Sequence, residues 1–497
     1  MSPSDWLLDA VRGCTFDDFI LKPQFSVLER RDPARTDLCS RLSRRITLKR
    51  PIVSANMDTV TRAPMAIVQA EEGGIGIIDR GFRAGDIEPQ VREVEKVKRT
   101  QHGVIFDPYT IAPEATLNEA LGMMERSRVG TLVVVEGDRT LRGLLTQRDV
   151  RFVPVSERVS ARMTPVDRLM THQGEISIAD AERIMIDRKI KKLPLVDRSG
   201  RLIGLITAKD IVKHQQAPFA TRDGQGRLRV GAAIGAKGDY LERAAELIKA
   251  GTDVIVIDIA HGHSIVMERA IELFRKQFND TELIAGNVGS AEGAKFLMER
   301  GVDGIKVGVG PGGGCTTRIT TSFGVPQLQA LVECRIAVGE TLPLIADGGV
   351  RRDGSVALAL LFGGDTVMLG SAFAGTLETP GDVVQKSVLL PESQKTVKVP
   401  FKVLRGMASI SAIKDRLDVE DAEQVDVEAL GAEGMEVSVP VRGSVRPIIY
   451  DMLKHLCSSI SYGGASTLAE FREMFWRHPQ RYVIKQSAAA RRESYER

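Results

Sequence analysis

Short apolar runs that end in glycine, aspartate, serine or asparagine recur along this chain, separated by stretches with helical periodicity. RPIVSA (50–55), GGIGII (73–78), DVIVIDIA (253–260), ELIAGNV (282–288), GIKVGVG (304–310), LPLIADGG (342–349) and DTVMLGS (365–371) are such runs. YLERAAELIKA, SAEGAKFLMERG and RDGSVALALLFGG lie between them. Apolar strands alternating with amphipathic helices predict a parallel sheet covered by helices. A doubly wound sheet is one solution. Glycine-marked strand ends spread from residue 50 to residue 371 fit a closed α/β architecture better, the (β/α)8 TIM barrel. Such a barrel gathers its polar residues at the carboxyl ends of the strands, where its active site is expected.

An internal repeat interrupts the pattern. LRGLLTQRDV (141–150) and LIGLITAKDI (202–211) share Gly-Leu-apolar-Thr-x-basic-Asp-apolar. An amphipathic helix and an apolar strand precede each copy, so each reads helix, strand, turn, strand, short helix. Two copies can bury their sheets against one another. A duplicated packing module without a ligand would look the same. However, Thr146 and Asp149, like Thr207 and Asp210, fall where a strand runs into a helix, a usual place for ribose and phosphate contacts. The pattern resembles a tandem pair of cystathionine-β-synthase (CBS) domains. That family often binds adenine or guanine nucleotides between its copies, and these four residues would be the contacts. The expected organisation is therefore barrel (1–95), tandem CBS module (96–215) and barrel remainder with the C-terminal tail (216–497).

Composition removes other function classes. Lys plus Arg (68) against Asp plus Glu (65) leaves a net charge of +3, too small a surplus for a dedicated nucleic-acid binder. Aromatic residues make up 5%, too few for base-stacking platforms. Five cysteines (Cys14, Cys39, Cys315, Cys334, Cys457) stand far apart with no metal-ligand spacing, which predicts a reduced intracellular protein. No signal peptide and no membrane span is expected, and the protein reads as cytoplasmic.

The richest stretch is GIKVGVGPGGGCTTR (304–318). Gly308, Gly310 and Gly313 spell GxGxxG, and Glu333 lies twenty residues on. The dinucleotide fingerprint, however, needs a helix to begin inside the glycines. Here the run continues through Pro311 and Gly314 into Cys315-Thr316-Thr317, and no lysine follows as a P-loop would require. What remains is a loop holding one thiol among backbone amides and two hydroxyls. Such a thiol serves as a nucleophile if its thiolate is stabilised, or is a small buried cysteine in a turn.

Gly310-Pro311-Gly312-x-x-Cys315-Thr316-Thr317-Arg318 with GVPQ (324–327) resembles the catalytic loop of the IMP dehydrogenase and GMP reductase family. The resemblance continues in order through CTFDD (14–18), SANMDTV (54–60), EGGIG (72–76), DIAHGHS (258–264), AGN (285–287), ADGG (346–349), MLGS (368–371), RGM (405–407) and EG (433–434). It implies Cys315 as the nucleophile adding to C2 of the purine, with NAD accepting hydride and water releasing XMP. Thr317 and Glu433 would form a proton relay, and Arg416 would be the flap arginine. Asp347 would hold the ribose, while Gly349, Gly370 and Ser371 would bind the phosphate. Ser54, Met57 and Met407 would line the nucleotide pocket, and Asp258, Asn287 and Gly308 would face the cofactor. A monovalent cation, potassium by resemblance, would lie on carbonyls of Gly310, Gly312 and Cys315 and of a neighbouring chain's Glu493, Ser494 and Tyr495. A homotetramer or octamer is implied.

Departures from the family pattern are equally specific. Gly313-Gly314 replaces the usual serine and apolar residue, and Leu404 stands where many dehydrogenases carry tyrosine. Both changes delete hydroxyls that commonly touch the phosphate. The flap between Met407 and Glu433 contains no tyrosine, and Leu417 follows its one arginine, Arg416. Dehydrogenases carry an Arg-Tyr pair there that activates water. Asn56 stands where reductases more often have asparagine. The AHGHS segment, the long flap and the inserted pair favour a dehydrogenase. The missing pair and Asn56 favour a reductase, which would expel ammonia from GMP and take hydride from NADPH. A weakly active, nucleotide-sensing homologue is the third reading.

Overall fold

The computed structural model describes residues 2–100, 104–105, 108–127, 129–174, 176–389, 396–417 and 431–495. They divide into two compact units, one of residues 1–98, 219–223 and 228–497, the other of residues 99–218 and 224–227.

The larger unit is a closed parallel barrel. In chain order its strands are β1 (Ile52–Ser54), β2 (Ile75–Ile78), β3 (Gly231–Ile234), β4 (Val254–Asp258), β5 (Glu282–Val288), β6 (Gly304–Val307), β7 (Leu344–Asp347) and β8 (Thr366–Leu369). Each pairs in parallel with the next, and β8 closes on β1 through Met368 opposite Val53. Helices such as Ala63–Glu71 after β1 and Ile265–Gln277 after β4 cover the outside. Ser264 and Ser290 start the helices after β4 and β5 by accepting backbone N–H groups of Met267 and Gly293, satisfying donors left free at a helix start. Seven strands coincide with apolar runs readable in the sequence. The exception is β3, whose Gly-Ala-Ala-Ile is too short and too small to stand out from its surroundings.

Alternation along the strands decides what faces the barrel axis. Val53, Ile75, Ile77, Ala233, Val254, Val256, Ile284, Ile345 and Met368 fill the interior, with Leu42, Ile46 and Leu48 of an N-terminal hairpin among them. Intervening residues such as Ile52, Ile255, Ile305 and Leu369 pack outward against the helices. Continuing the inward parity to the carboxyl ends brings Asp258 of β4, Lys306 of β6 and Asp347 of β7 to one end of the barrel.

The smaller unit contains the two repeats. Strands Thr131–Glu136 and Thr140–Thr146 pair in one sheet, and Lys192–Val196 and Leu202–Thr207 pair in the other. The sheets share a core in which Val133, Leu141 and Leu144 meet Leu202 and Leu205. The copies differ after the shared motif. The second enters the helix Ala208–Gln216, whereas in the first the expected short helix does not form and residues 147–152 are turns. Pro154 is the local difference, since it disfavours helical backbone at Val153, the residue before it.

Beyond β3, one close approach shows how tightly the helical layer seats. A methyl placed on Gly76 of β2 would come 2.5 Å from Ala66 Cα and 2.6 Å from Ala66 Cβ. The helix Ala63–Glu71 can lie against β2 only because that side chain is absent. Gly76→Ala should therefore cost about 1–3 kcal/mol by overpacking, read as a lowered urea midpoint. An unchanged midpoint would contradict the approach.

Candidate active site

The carboxyl ends of the strands open into a cavity of about 310 Å³. Its wall on one side is the loop after β6, which carries Gly308, Gly310, Gly312 and Cys315. No helix starts among these glycines: one short turn spans Thr317–Thr320 and the long helix begins only at Gln327. The dinucleotide-fingerprint reading therefore fails on geometry as well as on sequence.

The flap meets this loop through backbone. Its sheet consists of β9 (Val384–Leu389), β10 (Thr396–Arg405) and β11 (Glu436–Pro440), all antiparallel. Met435 N donates to Gly314 O at 3.0 Å, Thr316 N to Glu433 O at 2.9 Å and Gly406 N to Met435 O at 3.1 Å. A Cβ on Gly406 would fall 2.5 Å from Gly314 O, so this junction needs glycine. The consequence is a continuous hydrogen-bonded chain. Cys315 Sγ donates to Thr317 Oγ1 at 3.2 Å, and Thr317 Oγ1 donates to Glu433 Oε2 at 2.6 Å. Cys315 is half-buried and lines the cavity.

A second network forms the cavity floor. Lys306 is buried, with Nζ 2.8 Å from Asp347 Oδ2, 3.3 Å from Asp258 Oδ1 and 3.1 Å from Asn56 Oδ1. Asn56 Nδ2 donates to Asp258 Oδ2 at 2.6 Å, and Asn287 Nδ2 donates to Asp347 Oδ2 and Gly308 O, each at 2.8 Å. Burial by itself would lower the Lys306 amine, but Asp258 and Asp347 outweigh it and hold the amine above its ordinary value. Burial likewise opposes ionisation of Asp258, yet Lys306, Arg80 and the Asn56 amide keep its carboxyl below the usual range. Asp347, Gly349, Gly370, Ser371, Met57 and Met407 all border the same space.

The sequence model of the IMP dehydrogenase / GMP reductase domain matches residues 13–496. The chain belongs to that family. It is 44% identical over 465 residues to an inosine-5'-monophosphate dehydrogenase of Aquifex aeolicus (strain VF5), covering 93% of this chain and 91% of the relative. A protein of the same name from Nitrosopumilus maritimus (strain SCM1) is 42% identical, with 93% and 94% covered. Among solved structures, a GMP reductase variant from Trypanosoma brucei in complex with guanosine 5'-monophosphate superposes with a TM-score of 0.85 at 36% identity, covering 97% of each chain. The same organism's GMP reductase with guanosine 5'-triphosphate gives 0.75 at 33% identity, with 96% and 98% covered.

Most of the family positions expected from sequence converge on the cavity, but Ser54 does not. It is fully buried, and its parity is opposite to that of Val53 and Ala55, so its hydroxyl points toward the helical layer near Gly76. Lys306 and Arg80, by contrast, were not singled out in the sequence, and both line the cavity. Lys306 was recoverable: Gly304, Lys306 and Gly308 share one face of an otherwise apolar strand. Arg416 also lines the cavity, and burial, then Arg80, push its guanidinium down to about 10. The rest of the flap, residues 418–430, lies outside the described residues.

Glu493, Ser494 and Tyr495 form the last turn of the helix Ala488–Tyr495. The final carbonyls of a helix have no intrahelical donor, which is the ligand type a monovalent cation requires. In the smaller unit, Asp149 Oδ2 accepts from Thr146 N at 2.7 Å and Thr146 Oγ1 at 2.8 Å. Thr207 ends its strand and Asp210 lies in the following helix.

The floor network predicts a pH-dependent defect. Asp258, lowered in the fold, contributes stability above the unfolded carboxyl value and loses it as pH falls through the lowered one. Lys306, raised in the fold, contributes below the unfolded amine value and loses it as pH rises through the raised one. Lys306→Met should therefore cost about 3–5 kcal/mol near neutrality by leaving buried carboxylates unpaired. The deficit should shrink on acidification, as Asp258 takes up a proton. Urea unfolding at pH 7.5 and pH 5 checks this, and an equal deficit at both would count against the pairing.

Proposed function

We propose that this chain is a cytoplasmic NAD-dependent IMP dehydrogenase, oxidising IMP to XMP through a covalent intermediate on Cys315. The observation that carries the reading is the continuous donor path from Cys315 Sγ through Thr317 Oγ1 to Glu433 Oε2. As the thiol adds to purine C2, Thr317 takes its proton and passes its own to Glu433. Bound NAD would supply the acceptor for the hydride of that carbon. Water then attacks C2 of the remaining thioimidate, the C–S bond breaks, and XMP leaves as the thiol is restored. Glu433, once it has released that first proton to solvent, is positioned through Thr317 to take the proton from the water and return it to the departing thiolate.

Asp347 would accept the ribose hydroxyls, with Met57 and Met407 against the base. Ser371 and the amides of Gly349 and Gly370 would hold the phosphate. Asp258, Asn287 and Gly308 would face the cofactor. Potassium would bind to carbonyls of Gly310, Gly312 and Cys315 and of Glu493, Ser494 and Tyr495 from a neighbouring subunit, bracing the cysteine loop in a homotetramer or octamer. Residues 96–215 would form the CBS module, holding adenine or guanine nucleotides through Thr146, Asp149, Thr207 and Asp210. The core shared by its two sheets supports that reading. Among the described flap residues Arg416 is a cation lining the cavity, and with its guanidinium at about 10 it stays charged at neutral pH.

GMP reductase is the second reading, favoured by the missing flap tyrosine and by the likeness to reductase structures. Asn56 gives it less support than its identity suggests, because its amide is committed to Asp258 and Lys306.

Rapid mixing separates the two. A dehydrogenase without the Arg-Tyr pair should hydrolyse slowly, since general-base help is worth about 10²–10⁴-fold. IMP with NAD should give a burst of NADH near one equivalent per site, then slow turnover. Glu433→Gln should depress the slow phase more than the burst, and Leu417→Tyr should speed it. Cys315→Ala should abolish both phases. Conversion of GMP and NADPH to IMP and ammonia, with no burst from IMP, would overturn the dehydrogenase reading.

A further inference from the structure

The segment following β8 begins with Gly370 and Ser371 at the cavity and runs on to Thr379. Its carbonyl groups are collected by two cations, one in the flap sheet and one just beyond it. Lys402, in β10 and 6% exposed, places Nζ 2.6 Å from Thr379 O, 3.0 Å from Thr376 O, 3.4 Å from Leu377 O and 3.4 Å from Thr379 Oγ1. Arg442, just beyond β11, donates to Ala372 O at 2.6 Å and to Ala374 O at 2.7 and 3.2 Å. Five carbonyl oxygens between residues 372 and 379 thus end on two fixed positive charges.

Lys402 has the surroundings of a bound monovalent cation rather than of an ion pair. Its ammonium meets carbonyl oxygens and a hydroxyl, while the Glu378 carboxylate accepts from Ser444 Oγ at 2.5 Å and Val445 N at 2.9 Å. Burial pushes the amine below its ordinary value, with Glu378 only partly opposing it. A buried ammonium is costly, and what it secures here is a link between two cavity walls. The turn begins at the cavity with Gly370 and Ser371, and β10 runs on to Leu404, Gly406 and Met407, which also line it. The turn matters more in this chain than the family pattern suggests, because Gly313 and Leu404 leave no hydroxyl at the two positions that commonly touch the phosphate.

We propose that Lys402 and Arg442 are positioning residues for the substrate's phosphate, two fixed cations that seat the 372–379 turn so that Gly370 and Ser371 can meet the phosphate dianion. The inference rests on the nucleoside-monophosphate reading above.

Steady-state kinetics on the full chain at constant potassium tests it. Lys402→Met and Arg442→Met should each raise KM for IMP at least tenfold while KM for NAD and kcat stay within twofold. Arg442 is exposed, so its variant keeps the test alive if Lys402→Met does not fold. In Lys402→Ala, added n-propylammonium should lower KM for IMP again, and tetramethylammonium, which has no N–H to donate, should not. The proposal is overturned if KM for IMP moves less than twofold in the folded variants. It is equally overturned if KM for NAD rises by the same factor, or if propylammonium has no effect. A parent enzyme that does not turn over IMP with NAD would instead overturn the functional reading. Calorimetric titration of GMP into parent and variants then still reads the grip on the phosphate.

Discussion

The Lys306 ammonium lies where the apolar filling of the barrel gives way to the polar cavity. Below it are Ile345 and Val256; around it are Asp258, Asp347 and Asn56. A lone buried charge of either sign would be strongly unfavourable there. One cation between two carboxylates, with Asn56 and Asn287 donating to the remaining lone pairs, leaves a network that is nearly satisfied. Because these groups come from the ends of β4, β5, β6 and β7 and from the segment following β1, the network fixes the relative heights of five strand ends. The surface of the cavity inherits its shape from that constraint.

The thiol depends on a different kind of contact. Cys315 is carried by a glycine-rich loop that has little regular structure of its own, and its geometry is imposed by backbone pairing with the two roots of the flap. Gly314, Gly406 and the segment Glu433–Met435 approach one another closely enough that main-chain hydrogen bonds, rather than side-chain packing, set the distance. Glu433 arrives beside Thr317 as a result. Loop and flap therefore act as one assembly, and the hydrogen-bonded chain from Cys315 to Glu433 exists only when they are joined.

Much of the barrel was legible because a parallel strand buried on both faces is mostly apolar along its length, and β1, β2 and β4–β8 follow this apart from polar residues such as those of the cavity floor and Glu282. β3 escaped notice because Gly231, Ala232 and Ala233 provide little apolar surface. The repeat was legible as a repeat. The missing helix in its first copy turned on Pro154, a local signal outweighed by the likeness of the two motifs. In the cavity, the cysteine loop and Glu433 could be recognised from motif order. Ser54 was misplaced because a motif carries residue identity without strand parity, and Lys306 was overlooked because a lysine in an apolar run attracts no attention until its face is known.

What the sequence determined by itself was the alternation of strand and helix, the membership of the family and the position of the cysteine loop, each of which depends on residues that are neighbours along the chain. Tertiary structure alone decided which carboxylate shares which cation, that Asn56 serves Asp258, and that Lys402 serves three carbonyls more than twenty residues away. The reason is distance in sequence: Cys315 and Glu433, or Asn56 and Lys306, are brought within hydrogen-bonding reach only when the barrel closes and the flap root docks.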